Sequence, residues 1–277
     1  MWSGGTGYDA VAGRAYDQSR TLVGSGDGAN STTVSDVGPS DGGEADPTGA
    51  GDSTGGTSAS ADGPRRHADP ASLAAKQARW FEPHIAPINS LVAEIATITG
   101  RAVPYVDPDS GGVNTRVLLL LEGPSGGAAH RSKMISIDND GGTAANLWRA
   151  HQAVGLAREH TMMWNAVPWF LGAYGRIDGP KEAELTEGRG WLVRLLELLP
   201  LLEVTIALGR VPEKSLRPLR SELQARGVIT LAAPNPSERV YNVPGRGARA
   251  QVHRAFEQAA EVIAAGPSAR RGHRRPT

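Results

Sequence analysis

Four places in the chain put residues capable of chemistry directly after an apolar run. Glu122-Gly123-Pro124-Ser125 follows the aliphatic residues 117–121, and Asn165 lies inside the run 161–167, which Pro168 ends. Gly209-Arg210 follows residues 203–208, and Pro234-Asn235-Pro236-Ser237 follows residues 228–232. A carboxylate at such a point can orient a water or stabilise a developing cation. A primary amide offers a donor and an acceptor side by side, enough to read one edge of a polar ring. Gly and Pro at the same turns keep backbone close and rigid.

These groups can cooperate only if the runs are strands whose carboxyl ends share one edge. Residues 117–121 are continuously apolar and bounded by turn residues, the pattern of a strand buried on both faces. Ile85, Ile88, Leu91, Val92, Ile95 and Ile98 recur at helical spacing and stop at Gly100, a suitable C-cap. Residues 70–80 suit a helix, 101–115 a loop, and 130–142 a polar connection. Thr143 can cap a helix over 144–154. Residues 181–199 form an amphipathic helix, another starts at Pro212, and a last one covers 248–265. Strands and helices therefore alternate. The expected fold class is α/β, a three-layer α/β/α sandwich around a four-stranded parallel sheet, with ligands bound beyond the strand ends.

Composition narrows the chemistry. None of the 277 residues is cysteine, which excludes disulfides, thiolate metal sites and protein-ligated iron–sulfur clusters. No apolar run is long enough to span a bilayer, so a soluble, cytoplasmic protein is expected. Residues 1–64 hold nine acidic side chains and two basic ones, leaving 27 basic against 20 acidic in the remainder. Residues 1–64 form an acidic, Gly/Ser-rich tail expected to be disordered; the folded domain is expected over 69–266, and 267–277 is a basic C-terminal tail. The small positive excess permits a polyanionic partner. Asp138-Asn139-Asp140-Gly141 is similar to the start of a calcium loop, but the twelfth position is Arg149 rather than glutamate, so no metal is expected.

The first turn has two readings. Gly123-Pro124-Ser125-Gly126-Gly127 fits G-x-S-x-G, the nucleophile elbow of α/β-hydrolases, with Ser125 attacking an acyl carbon. That elbow here follows the first strand, and His253 falls in a helix, a poor place for a triad base. Taken together, the turns resemble the uracil-DNA glycosylase superfamily. Leu121-Glu122-Gly123-Pro124-Ser125-Gly126 resembles the Gly-Glu-Ala/Gly-Pro-Gly turn of several branches. Asn165 resembles the asparagine that reads uracil, Leu208-Gly209-Arg210 the Leu-Gly element after the third strand, and Pro234-Asn235-Pro236-Ser237 the second signature in its Asn-Pro-Ser form. Gly141-Gly142-Thr143-Ala144-Ala145-Asn146-Leu147 is similar to the segment opening the first helix. The resemblance covers roughly residues 83–245.

It implies an enzyme that hydrolyses uracil or a related deaminated base from DNA and initiates base excision repair, expected to be a monomer without cofactor or metal; no lysine lies beside these turns to form a Schiff base, so a monofunctional glycosylase is expected. Glu122 would assist the water or the sugar cation, and Asn235 the departing base. Asn165 and Gly123 would bind the base, and Pro124, Ser125, Pro236 and Ser237 would approach the DNA backbone. The cluster-binding cysteines of those branches are absent, Asn235 stands where others have histidine, and the position of the stacking aromatic falls near Asp140. Trp164, Trp169 and Phe170 are expected in the core. The rival readings are a catalytically silent DNA-binding relative and the Ser125 hydrolase.

Overall fold

The computed structural model describes residues 63–173, 176–177 and 179–271. Most of the acidic tail, 1–62, and the last six residues of the basic tail lie outside them.

Eight helices and eight strands are present among the described residues. The helices are α1 (Pro70–Gln77), α2 (Ala86–Thr99), α3 (Gly142–Val154), α4 (Glu182–Glu197), α5 (Arg210–Leu216), α6 (Arg220–Ala225), α7 (Glu238–Tyr241) and α8 (Ala248–Arg271, interrupted at Gly266). The strands are β1 (Tyr105–Val106), β2 (Val117–Leu121), β3 (Met134–Ile135), β4 (Thr161–Asn165), β5 (Gly172–Ala173), β6 (Arg176–Ile177), β7 (Val204–Leu208) and β8 (Ile229–Ala233). The main sheet has the order β4-β2-β7-β8 and every pairing is parallel. Connections leave β2 towards β4 and β7 towards β8, so the topology reverses between β2 and β7, where open parallel sheets form their crevice.

Side chains alternate across a strand, so β2 feeds two separate apolar clusters. Leu118 and Leu120 join Ile88, Leu91 and Ile95 of α2 and Leu192 and Leu195 of α4. Val117 and Leu119 join Leu147 of α3 and Val252 and Phe256 of α8. Trp164 and Trp169 are fully buried in the first cluster, as expected of core residues. At Gly188 of α4, an added Cβ would stand 2.1 Å from the carbonyl oxygen of Ala166. The missing side chain lets α4 press its backbone against the residue that follows Asn165.

Several boundaries depart from the expectations. The loop 101–115 and the connection 130–142 contain β1 and β3, which pair in parallel; strands of two residues carry no readable periodicity. Helix α3 is capped by Gly141 and starts at Gly142, one turn position ahead of Thr143, which makes no side-chain cap. Helix α5 begins at Arg210, so Pro212 is its third residue. Strand β4 ends at Asn165, although Ala166 and Val167 continue to donate to the carbonyls of Leu121 and Glu122 (2.7 and 3.0 Å). The β5–β6 hairpin was not anticipated.

His151 of α3 sits wholly inside the second layer of packing. Its Nδ1–H donates to the Leu147 carbonyl (2.8 Å), Nε2 lies 3.2 Å from the Thr161 hydroxyl, and the Phe256 ring meets it edge-on at 5.1 Å. Burial holds this imidazole down from 6.5 to about 4. A depressed folded value makes neutral His151 a source of stability that is complete above the unfolded value and lost as pH falls through the folded one. Acidification over that window should remove about 3 kcal/mol of unfolding free energy. Urea unfolding across the same window checks this, with a flatter pH dependence expected for His151→Asn.

Candidate active site

The carboxyl ends of β2 and β4 open onto a cavity of about 520 Å³. It is lined by Gly123, Pro124 and Ser125 after β2, by Asn139 to Ala144, by Met163 and Asn165 of β4, and by His67 and Leu73 from the N-terminal segment. Its volume and mixed lining suit a small polar ring.

Asn165 is the last residue of β4, paired in register with Leu121. It is 2% exposed, and its amide nitrogen has no hydrogen-bond partner among the described residues. Leaving a buried donor unsatisfied costs about 1–3 kcal/mol, so an unpartnered amide on a residue that lines a cavity points to a missing acceptor. The alternative role, an amide engaged in holding the Pro168 turn, has no support in its bonding.

Glu122 immediately precedes the cavity residues Gly123–Ser125 without itself lining the cavity. Its side chain is half-buried and makes no ion pair or hydrogen bond among the described residues. Arg116, the cation available nearby in sequence, is engaged elsewhere, with Glu203 and the carbonyl of Ile263 (2.8 Å). The Glu122 carbonyl is tied to Val167 N–H, which links the first turn to the segment after Asn165.

Ser125 accepts from Ala128 N–H (3.2 Å) and initiates the π-helical turn Gly127–Arg131. His253 is bonded through Nε2 to the Tyr241 hydroxyl (2.8 Å) rather than to Ser125. No nucleophile–base pair is assembled at the elbow. Asn235 accepts Ser237 N–H on its own Oδ1 (3.0 Å), a local turn that leaves its amide nitrogen for other partners. Pro236 accepts from the buried Asn146 amide (2.9 Å), so the second signature is fastened to α3. Gly209 has φ 116°, favourable only without a side chain, and an added Cβ would approach that of Asn235 to 3.3 Å. Neither Asn235, Pro236 nor Ser237 lines the cavity.

Two features escaped the sequence reading. His67 precedes α1; its backbone N–H donates to Asp138 (2.9 Å) and its Nδ1 meets Asn139 Oδ1 (3.0 Å). Behind the Asn139 wall lies a buried charge cluster. Lys76 contacts Asp107 (2.8 Å), Asp109 (2.9 Å) and Asp138, and Arg158 bonds Asp107 (3.1 Å) and Asp138 (2.8 Å). Burial pushes the Asp109 carboxyl up, but the hydrogen bond and charge of Lys76, with Arg79 and Arg158, outweigh it and hold it at about 2. Asp138 is likewise held below the usual carboxylate range, burial being outweighed by Arg158 and Lys76. His67, Asp107 and Asp138 are close enough together to suggest a metal site, yet the Lys76 ammonium already bridges the two carboxylates.

With this geometry in view, the comparisons are direct. The model of the uracil DNA glycosylase superfamily matches residues 108–259, more than half of the chain. The protein belongs to that superfamily. A solution NMR structure of a protein from Methanosarcina acetivorans, provisionally named a uracil DNA glycosylase, is similar at 19% identity, covering 53% of this chain and 91% of that one with a TM-score of 0.33. No curated protein matches. Among the described residues, no helix is long and apolar enough to cross a membrane.

Proposed function

We propose that the protein is a monofunctional DNA glycosylase that hydrolyses the N-glycosidic bond of uracil, or of a related deaminated base, acting as a monomer in the cytoplasm on a base flipped from DNA. The observation that carries this reading is the buried amide nitrogen of Asn165, without a partner among the described residues, on a residue that lines the strand-end cavity. A base carbonyl would supply its acceptor. The site rests on a three-layer α/β/α arrangement, with the sheet between the two apolar clusters.

In this reading Glu122, whose side chain has no other partner among the described residues, stabilises the sugar cation or orients the attacking water. The base leaves as an anion, and the Asn235 amide nitrogen or nearby backbone N–H groups stabilise it. Gly123, Pro124, Ser125, Pro236 and Ser237 bring rigid backbone towards the phosphates, fixing register without reading sequence. No lysine lines the cavity among the described residues, which favours water over an amine as nucleophile.

The test is incubation of the full chain with a uracil-containing single-stranded oligonucleotide, followed by alkali. Strand scission at the uracil position is the expected result. Tight uracil-dependent binding without scission would instead identify a silent relative that recognises damage.

A further inference from the structure

A strip of cations and aromatic rings leads away from the cavity, beginning inside the family segment and ending outside it. Arg131 and Ser132 line the cavity, and Lys133 follows them. The Lys133 carbonyl accepts the Tyr105 N–H (2.9 Å), and the Ser132 carbonyl accepts the Gln77 amide (3.2 Å), which fastens the end of α1 beside this segment. Trp80 and Phe81 come just after α1. The Tyr105 ring meets Trp80 at 4.6 Å, tilted by 40°, and meets Phe81 edge-on at 5.8 Å. From the cavity to Phe81 the contacts are continuous.

The strip is poorly satisfied by the chain itself. Phe81 is 56% exposed and is the one exposed Phe, Tyr or Trp among the described residues, while Trp80 and Tyr105 are half-buried. Arg131 and Lys133 are exposed, and neither side chain has an ion pair or hydrogen bond among the described residues. Glu82, the acid next to Phe81, is already held by Arg79 through two hydrogen bonds (2.8 and 3.0 Å). Open ring area beside unengaged cations suits a polyanion that also carries flat apolar faces. A single nucleic-acid strand has both, because its bases can stack on rings while its phosphates meet Lys and Arg. A duplex keeps its bases stacked on one another and offers the strip only phosphates.

We propose that the strip from Arg131 and Lys133 to Tyr105 and Phe81 is a track for the single DNA strand flanking the base held in the cavity. A flanking base stacks on Phe81, and Arg131 and Lys133 pair with phosphates. The inference rests on the glycosylase reading for the identity of the polymer, but not on cleavage.

The experiment measures, by fluorescence anisotropy, binding of the full chain to a labelled oligothymidylate of about a dozen nucleotides, alone and in duplex with oligodeoxyadenylate. The single strand, which contains no uracil, should bind more tightly than the duplex. Phe81→Ala should weaken single-strand binding about tenfold and leave duplex binding unchanged. Phe81→Trp should retain the affinity, while Phe81→Leu, apolar but without a stacking face, should resemble the alanine variant. Lys133 has φ 53°, which asparagine tolerates, so Lys133→Asn removes the charge without straining the turn. It should reduce the slope of log affinity against log salt by about 0.7. Undiminished single-strand binding by Phe81→Ala, or an unchanged salt slope in Lys133→Asn, would overturn the track, as would no single-strand binding by the unaltered chain. Full affinity in Phe81→Leu would overturn it too, and mark the patch as an apolar docking surface. Scission of uracil-DNA by a chain whose strand binding ignores Phe81 would leave the glycosylase reading and remove this one. Phe81-dependent strand binding without scission would do the reverse. Thermal melts of the variants report whether the fold is retained.

Discussion

Lys76→Ala should lower the unfolding free energy by about 3–5 kcal/mol, the range found when one partner of a buried ion pair is removed. In a domain of this size that corresponds to a fall of roughly 10 °C in melting temperature. Lys76 is 4% exposed and Asp138 fully buried, so deleting the ammonium leaves carboxylates that cannot recruit water freely. Arg79 stays on Asp109 (2.7 Å) and Arg158 remains, but Arg158 alone cannot neutralise both Asp107 and Asp138. Thermal melts of the variant test the size of the loss, and Lys76→Met combined with Asp138→Asn should cost less than the separate changes summed. The pH dependence has a definite sign. The carboxyls of Asp109 and Asp138 are depressed in the fold, so the wild type owes them stability above their unfolded value near 3.8 and loses it as pH falls through the folded ones. The variant lacks much of that term. Its deficit should be largest at neutral pH and narrow in acid.

The second large effect concerns turnover. Glu122→Gln should reduce the single-turnover rate of uracil release by about 10²–10⁴-fold, the usual contribution of a positioned acid–base or charge-stabilising group. Asn165→Ala should lower it by about 10²–10³-fold through loss of a preorganised donor. The two variants should differ in one respect: Asn165→Ala also weakens binding of the base, while Glu122→Gln leaves it nearly intact, since Glu122 does not line the cavity. Full activity in Glu122→Gln would remove the carboxylate from the mechanism and direct attention to the backbone around Gly123. Unfolding curves guard against misreading either loss, because the Glu122 side chain has no hydrogen-bond or ion-pair partner among the described residues to lose.

What could be read from the sequence follows from how strongly each element is patterned. The runs leading to Leu121, Asn165, Leu208 and Ala233 are long and apolar, and each is bounded by turn residues, so the four parallel strands and their common edge were legible. Asn165 and the first turn followed from them. Lys76 was not, because a lysine in a short amphipathic helix is indistinguishable from a solvated one until its three aspartates converge from separate loops. His67 was hidden for a related reason: it adjoins a Gly- and Ser-rich stretch with no periodicity, and only tertiary contact with Asn139 gives it meaning. The β1–β3 pair, two residues per strand, carries too little pattern to separate from loop. Asp138, read in the sequence as part of a weak calcium motif, is instead balanced by cations belonging to the chain itself.

The second wall of the cavity has a consequence for dissection of the chain. A fragment cut at the limits of the family match, 108–259, would lack α2, whose Ile88, Leu91 and Ile95 cover Leu118 and Leu120. It would also lack Lys76, leaving Asp138 in the interior with Arg158 alone, and His67 and Leu73, which line the strand-end cavity. The segment that matches the family is therefore shorter than the unit its buried contacts define. Some 45 residues upstream, between 63 and 107, complete that unit, and a minimal folded fragment is expected to need them.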